Sequence, residues 1–493
     1  MSRFCGRCGR PRTNLSARFC GKCGLKFHNG SIVEPIGRNV QTGELVYLEQ
    51  QERSTYVIGA HGMGKSTFIL MQVLRDIKRN DCGIVILDPH RDLVEAIMRY
   101  CPPEHAHRVV YFAPELQRDR PFGLNPFEWH TEQEYQHKVS AIVRVFTSLW
   151  GSDQSQKVWL EATLPVFVHT LLAGYKKYQT TFMHMLHLLR NTDEGKKWRE
   201  KLSEEVKKDV VISGKWEQWL QPKGSTWNID TQALERRVQT VLLNPVVRDI
   251  LCQPRSSDCF HLQNFLAAKN ILLVDLKNIG EESWRLLGSL ILAQLHAMAF
   301  QRDIKGDRVP CTVYADEFDH FVPSMFVDVI NKLRKFGLRV LITHQGFEQI
   351  SDSALNAVLR CGNKVVFKVG STEARTIGRE IFYGTKYEPA MLASLPRFQV
   401  VVQLETEDGG TSLARVALSN VEDKPREDIL IAISERSRKY GREPVVAATA
   451  DDTKPIVTSS PPLSSAPQDD DEDWVVPNPR KRSNKNRKAS EEQ

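Results

Sequence analysis

The stretch STYVIGAHGMGKST, residues 54–67, decides the fold. An apolar run leads into a glycine-rich loop, and the residues that follow, 65–79, place apolar side chains at helical spacing. Gly59, Gly64, Lys65 and Ser66 have the spacing of a phosphate-binding loop, a motif that needs a strand before it and a helix after it. The stretch therefore predicts the first strand, loop and helix of a P-loop nucleoside-triphosphatase core.

The loop also predicts how ATP and Mg2+ are bound. Its glycines allow backbone N–H groups to turn inward around the β-phosphate, and the helix N-terminus adds a favourable dipole. We expect Lys65 to reach the β- and γ-phosphate oxygens and Ser66 to ligate Mg2+. The residues that the motif assigns to the nucleotide are Gly59, Gly62, Gly64, Lys65, Ser66 and Thr67.

A second apolar run, CTVYADEFDHF at 311–321, ends in two adjacent carboxylates. We expect Asp316 to hold the magnesium shell and Glu317 to polarise the attacking water. The alternative interpretation is an ordinary acidic turn between a strand and a helix. A glutamate in this position favours a hydrolase over a kinase that passes phosphate to a small acceptor.

The next apolar run, LRVLITHQ at 338–345, ends in Gln345. A polar side chain at the tip of a buried strand is costly without a partner. We expect Gln345 to sense the γ-phosphate or to orient the water, the alternative being a plain strand-end residue. His344, His61 and His90 are interpreted as packed neighbours rather than ligands.

The order of patterns along the chain predicts an α/β fold. Continuous apolar strands alternate with helices, which indicates a mostly parallel sheet covered on both faces. From about 130 to 265 the chain is instead polar and helix-like, and the stretch 129–265 holds seven of the nine tryptophans. The predicted organisation is a zinc ribbon at 1–30, the core at 31–129 and 266–423, a helical insertion at 130–265, and a C-terminal helix with a disordered charged tail at 424–493.

Four cysteines near the N-terminus have the spacing of a metal site. Cys5 and Cys8 form one Cys-x2-Cys pair, and Cys20 and Cys23 form another inside a near repeat of the first. Two such pairs predict one tetrahedral structural Zn2+, the alternative being reduced free thiols in a disordered arm. The other six cysteines are interpreted as small core residues.

Composition permits several partners and argues against membrane insertion. The 493 residues carry a net charge of +7, which permits a nucleic-acid partner without requiring one. The best candidate membrane span, 286–300, has 15 residues, fewer than the roughly 20 that a spanning helix needs. The N-terminus has no signal-peptide apolar region, so a cytoplasmic location is expected.

The full set of motifs resembles a known family. The phosphate loop, LDPHRDL, PFGLNPFEW, the helical insertion, ILLVDLKNIGEESWRLLGSLILAQL, VYADEFDHF, LRKFGLRVLITHQ and GNKVVFKVG occur in an order similar to that of the HerA/FtsK-type hexameric DNA-pumping ATPases. The resemblance covers about 36–420 and is strongest to the coupling ATPases of bacterial conjugation and type IV secretion. Membrane-bound coupling proteins begin with transmembrane helices, whereas this sequence begins with the predicted ribbon, so we expect a soluble branch that serves a mobile element, DNA processing or defence.

The resemblance implies a RecA-like core, a homo-hexameric ring and nucleic acid drawn through its channel. It matches Lys65, Ser66, Asp316, Glu317 and Gln345 to the core motifs. By the match in LRKFGL, Arg334 resembles the arginine that reaches the neighbouring subunit's nucleotide. Asp88 falls on an acidic position of the family, the alternative being an Asp-Pro turn at a strand end.

The sequence gives weaker indications of the polymer that the ATPase moves and of its partner protein. Candidate DNA contacts are the basic ribbon, the tail's cluster within 480–488, and lysines and arginines of the insertion near Trp198, Trp216 and Trp219. Each has an alternative: protein docking, an ordinary charged tail, or tryptophans that build a core. A protein-moving or protein-remodelling ATPase and a nucleotide-switched scaffold stay open beside the DNA motor, as does the choice among a relaxase, a nuclease or a secretion channel as partner.

Overall fold

The computed structural model describes most of the chain between residues 26 and 444. The described ranges are 26–28, 31–48, 53–151, 154–221, 226–302, 308–321, 323–347, 350–406, 410–421 and 423–444. Of residues 26–28, 31–33, 323, 324 and 334 it describes the backbone alone. The four cysteines of the predicted zinc ribbon, Cys5, Cys8, Cys20 and Cys23, and the charged tail beyond residue 444 lie outside the described residues.

Thirteen strands occur in the described ranges, and eleven of them form one sheet. In chain order they are β1 Lys26–His28, β2 Ser31–Val33, β3 Gly37–Asn39, β4 Leu45–Val46, β5 Thr55–Ile58, β6 Gly83–Asp88, β7 Val109–Phe112, β8 Ile271–Asp275, β9 Cys311–Ala315, β10 Leu338–His344, β11 Asn363–Val366, β12 Gln399–Glu405 and β13 Thr411–Leu418. The sheet order is β4-β3-β13-β12-β11-β5-β10-β9-β6-β8-β7. The seven strands from β11 to β7 run parallel, and the other four add an antiparallel edge.

Helices cover the sheet and fill the insertion. They are α1 Lys65–Arg79, α2 Asp92–Tyr100, α3 Glu132–Trp150, α4 Gln154–Tyr178, α5 Phe182–Leu189, α6 Asp193–Glu205, α7 Val210–Leu220, α8 Trp227–Leu243, α9 Pro245–Leu251, α10 Leu262–Ala267, α11 Glu281–Gln301, α12 Pro323–Asp328, α13 Asp352–Leu359, α14 Ser371–Glu380, α15 Pro389–Ala393 and α16 Glu427–Ser437. Every residue of β5, β6, β8, β9 and β10 is buried, as expected for parallel strands covered on both faces. The predicted α/β architecture is confirmed.

Strand order places the predicted motifs at one edge of the sheet. β10 lies between β5, which leads into the phosphate loop, and β9, which ends before Asp316. β6 follows β9 on the other side and ends in Asp88. Because these strands are parallel, their carboxyl ends meet at the same edge, where ligands bind in open α/β sheets.

The insertion is an all-helical layer between β7 and β8, comprising α3 to α10. Its core is aromatic: Trp198, Trp216 and Trp219 are at most 3% exposed. The Trp216 indole donates to the Thr170 hydroxyl at 2.8 Å, and its ring packs edge-on against that of Phe167. These tryptophans are therefore core residues, and the alternative in which they stack on nucleic acid is wrong.

The segment 326–336, whose apolar residues have helical spacing, is not one continuous α-helix. α12 ends at Asp328, a single π-helical turn spans Val329–Leu333, and a 3-10 turn spans Arg334–Phe336. Apolar spacing alone cannot separate these helix types, because Val329 and Leu333 are buried at a separation that suits either. The irregular turn immediately precedes Arg334.

One helix of the described residues, α4, is long and apolar enough to cross a membrane by length and composition, rather than the segment at 286–300. Most of that apolar window, 61%, is buried inside the protein. Leu164, Phe167 and Leu171 of α4 are fully buried in the core of the insertion. Packing in the core of the insertion accounts for the apolar character of α4.

Candidate nucleotide-binding site

The loop between β5 and α1 has the backbone geometry of a phosphate cradle. Gly62 and Gly64 have φ angles of 74° and 111°, in the region that residues with a side chain rarely adopt. A Cβ on Gly64 would also lie 2.7 Å from the Phe398 ring. The loop therefore requires glycine at 64, as the motif predicts.

Lys65 begins α1 and crosses this loop. Its Nζ donates to the carbonyl oxygens of Gly59 at 2.7 Å and Ala60 at 3.2 Å. Burial lowers the pKa of Lys65, and the nearby charges of Asp316 and Glu317 oppose that shift. Among the described residues its hydrogen-bond acceptors are these neutral carbonyls, and a buried ammonium in such surroundings favours an anion within reach.

Asp316 and Glu317 follow β9 directly and share a contact with β10. The Thr343 hydroxyl donates to the Asp316 carboxylate and accepts from the Glu317 backbone N–H at 3.3 Å. Burial raises the pKa of Asp316, as does the neighbouring Glu317 charge, while the Thr343 hydrogen bond and Lys65 lower it. A cation at this position would favour the ionised carboxylate.

Glu317 adopts a strained backbone and has three side-chain partners. Its φ is 51°, a left-handed value that is uncommon for a residue with a side chain. Oε2 lies 2.8 Å from His90 Nε2 and 3.4 Å from His320 Nε2, and Gln345 Nε2 donates to Oε1. Such strain at a sheet edge is typical of functional sites.

These contacts keep Glu317 ionised. Hydrogen bonds from His320 and His90 hold the pKa of Glu317 far below its ordinary value, although burial opposes the shift. The same hydrogen bonds raise the pKa values of His90 and His320. Glu317 is therefore a carboxylate over the whole physiological range, which suits a group that accepts a hydrogen bond from water.

Asp88 organises the next strand end. Its carboxylate accepts backbone N–H groups of His90 at 2.8 Å and Val94 at 3.0 Å, so it ties the turn after β6 to the start of α2. Burial raises the pKa of Asp88 to about 6 against these hydrogen bonds, with smaller contributions from Asp316 and Asp275. Asp88 therefore stabilises the turn after the strand, which was one of the two alternatives for this residue.

Four predicted residues meet at this edge: Lys65, Asp316, Glu317 and Gln345. Ser66 is exposed on the first turn of α1, where its hydroxyl is accessible. For Arg334 the structure describes only the backbone, so its role stays a prediction. Arg339, the next arginine along the chain, is buried and donates to Thr312, so it lies inside the core and is not available for that role.

Sequence reasoning missed the histidine partners of Glu317. His90 is exposed and bonded to a carboxylate, and His61 is also exposed, so the interpretation of both as packed neighbours was wrong. His344 is fully buried against the Tyr56 hydroxyl, as expected. A usable signal existed, since His90 follows a strand-ending aspartate by two residues and His320 follows Glu317 by three.

Comparison with known proteins supports the fold. The sequence matches no protein-family model and no curated protein. Among solved structures, the bacterial conjugative coupling protein TrwBdeltaN70 aligns with 78% of this chain and 89% of its own, at 16% identity and a TM-score of 0.59. The coupling protein TrwB in complex with ADP and Mg2+ aligns with 80% of this chain and 92% of its own, at 18% identity and a TM-score of 0.58.

A third structure, VirB4 of Thermoanaerobacter pseudethanolicus, is more distant. It aligns with 79% of this chain and 96% of its own, at 11% identity and a TM-score of 0.50. At these identities the likeness shows the fold. This chain has the fold of the conjugative coupling proteins, and the expected RecA-like P-loop core with a helical insertion is confirmed.

Proposed function

We propose that this protein is an ATP-hydrolysing ring motor that translocates DNA, of the HerA/FtsK kind. The observation that carries the proposal is the convergence of Lys65, Asp316, Glu317 and Gln345 at one sheet edge. The fold is shared with a coupling protein that was solved with ADP and Mg2+. We therefore propose that ATP and Mg2+ are the cofactors of this chain as well.

The residues fit a magnesium nucleotide. Within the described part of the chain, the buried Lys65 ammonium hydrogen-bonds to backbone carbonyls, which it would exchange for β- and γ-phosphate oxygens. The Ser66 hydroxyl would ligate Mg2+, and the Asp316 carboxylate would accept from its water shell. Bound Mg2+ supplies charge neutralisation at the phosphates.

Hydrolysis then depends on freeing Glu317. In the structure its carboxylate is occupied by His90, His320 and Gln345. We infer that Glu317 exchanges a histidine for the attacking water and that Gln345 turns to the γ-phosphate. This exchange would couple water activation to nucleotide binding.

DNA as the polymer, and a hexamer as the ring, are supported more indirectly. The resemblance in motif order points to both, and the net charge of +7 is compatible with a phosphate backbone. In a ring, Arg334 would reach the ATP of the neighbouring subunit. The Cys5, Cys8, Cys20 and Cys23 ribbon would hold one Zn2+ and contact DNA or a partner protein, and we place the motor in the cytoplasm.

Movement itself tests the proposal. Purified protein, ATP and Mg2+ are incubated with single-stranded or duplex DNA that carries streptavidin on a terminal biotin. A DNA motor displaces the streptavidin, and a Lys65→Ala variant does not. If neither DNA form loses streptavidin while ATP is consumed, a protein-moving ATPase becomes the better account; native mass measured on the same samples gives the ring size.

A further inference from the structure

Three metal-ligating side chains meet at the base of the helical insertion, away from the nucleotide site. Glu128 and His130 precede α3, and His261 precedes α10. One nitrogen of each imidazole and one carboxylate oxygen lie within 4.8 Å of one another. The cluster therefore joins the segment by which the chain leaves the core to the segment by which it returns.

Glu128 is held rigidly for such a role. It is 4% exposed, and its Oε2 accepts the backbone N–H of Ser256 at 2.6 Å. The Tyr175 hydroxyl is also hydrogen-bonded to this carboxylate. The other oxygen, Oε1, faces the imidazoles of His130 at 3.8 Å and His261 at 4.0 Å.

The two histidines are also positioned by their own surroundings. The backbone N–H of His130 donates to Glu134 at 2.9 Å, and His130 Nε2 lies 3.3 Å from His261 Nδ1. Lys138, a neighbouring cation, is bound to the Glu128 carbonyl oxygen and to Glu134.

The spacing suits a transition metal. Bonds of about 2.0–2.2 Å to nitrogen and oxygen place tetrahedral zinc ligands roughly 3.4 Å apart. His130 Nε2 lies 3.3 Å from His261 Nδ1 and 3.8 Å from Glu128 Oε1, and one ligand atom from each of the three residues lies within 4.8 Å of the others, so side-chain rotations can bring the set to that geometry. Two imidazoles and a carboxylate select Zn2+-like ions over Mg2+, which prefers an all-oxygen shell.

We propose that Glu128, His130 and His261 form a binding site for a divalent transition metal of the Zn2+ class. The bound metal would link the two ends of the insertion where they join the ATPase core. The partly exposed His130 leaves the fourth position open to water or to a partner's side chain. Outer contacts from Ser256 and Tyr175 hold Glu128 in place, as outer contacts hold ligands in other metal sites. This site is independent of the proposed four-cysteine zinc site.

The competing interpretation is a plain hydrogen bond between the two imidazoles. Their 3.3 Å separation allows it if one ring donates and the other accepts. A hydrogen bond between the rings does not explain why both rings approach the same oxygen of the buried Glu128 carboxylate. The two interpretations differ in whether these three side chains bind a metal and whether that metal raises the unfolding temperature.

Cobalt titration of the full-length protein separates them. A thiolate site has visible cobalt bands of its own, so the titration uses chelator-stripped Cys20→Ser protein, which lacks the four-cysteine site, in excess Mg2+. This protein should show the weak visible bands of nitrogen–oxygen ligands when Co2+ is added. In the same background, His130→Asn and His261→Asn should each weaken cobalt binding by more than about tenfold. His107→Asn, which lies outside the cluster, is the matched control and should leave cobalt binding unchanged.

Thermal unfolding distinguishes the loss of metal binding from the misfolding of a variant. Zn2+ in excess Mg2+ should raise the unfolding temperature of a Cys20→Ser protein, which lacks the thiolate site, and the added change His261→Asn should abolish that rise. Visible cobalt bands that persist in both histidine variants would overturn the proposal. So would a Cys20→Ser protein whose unfolding temperature does not respond to Zn2+.

Discussion

His90 Nε2 lies 2.8 Å from Oε2 of Glu317, and this contact joins the turn after β6 to the end of β9. Glu317 is the residue that we propose polarises the attacking water. Its carboxylate is thus bound to an imidazole on a neighbouring strand end. Activation of water must compete with that imidazole for the same oxygen.

The competition predicts an acid limb in the pH dependence of kcat. The hydrogen bond to Glu317 raises the pKa of His90, so the charged pair is fully formed below the ordinary histidine value of about 6.5 and is lost as pH rises through the raised value. Turnover should therefore increase with pH through that window. His90→Gln keeps a donor but does not titrate, so its acid limb should be weaker than that of wild type. An unchanged pH profile in His90→Gln would remove His90 from the account.

Lys65→Ala and Glu317→Gln should separate binding from hydrolysis. Loss of the Lys65 charge removes a charge-assisted contact worth about 1.5–3 kcal/mol, so ATP affinity should fall by roughly tenfold or more. Glu317→Gln should bind ATP as tightly as wild type but turn it over about 10²-fold or more slowly, because the carboxylate acts on water. Nucleotide titration and steady-state kinetics measure both. Wild-type turnover in Glu317→Gln would show that another group activates the water.

Arg334 should act on the ATP of a neighbouring subunit. Arg334→Ala alone should lose about 10³-fold in turnover, the scale known for arginine fingers. Lys65→Ala should also be nearly inactive. In mixed rings, an intact Arg334 from a Lys65→Ala subunit can serve the intact site of an Arg334→Ala subunit, so mixing with subunit exchange should restore part of the activity. Full DNA-stimulated activity of Arg334→Ala would move the finger elsewhere, with the exposed Arg360 as the next candidate.

Trp216 should matter for stability rather than for binding DNA. It is 1% exposed and its indole donates to Thr170, so Trp216→Ala should cost about 3–5 kcal/mol of unfolding free energy. Leu243→Ala, at a side chain that is 73% exposed, is the control and should change stability by less than about 0.5 kcal/mol. Denaturant unfolding gives both values. A stable Trp216→Ala protein that had lost DNA affinity would instead favour stacking.

The sequence predicted the parts of the site that local patterns determine. The glycine spacing specified the loop, and continuous apolar runs located β5, β9 and β10 within a residue or so. The carboxyl ends of parallel strands lie at the same edge of a sheet, so these runs place the phosphate loop and the acidic strand end at one edge in any strand order. Asp316, Glu317 and Gln345 were therefore identified from the sequence.

What the sequence could not supply depends on long-range contacts. The His90–Glu317 contact spans more than two hundred residues, so the position of His90 after a strand-ending aspartate did not reveal which carboxylate it contacts. The π turn at Val329–Leu333 differs from an α-helix by one residue per turn, which apolar spacing does not resolve. The Glu128–His130–His261 cluster joins segments that lie on either side of the insertion.

The most direct test of the central claim is ATP turnover of the purified protein without DNA, with single-stranded DNA and with duplex DNA. The account predicts that at least one form of DNA raises wild-type turnover severalfold. It also predicts that Glu317→Gln shows no such rise while still binding ATP. Wild-type turnover that is absent, or that neither form of DNA changes, would contradict the assignment of this protein as a DNA motor.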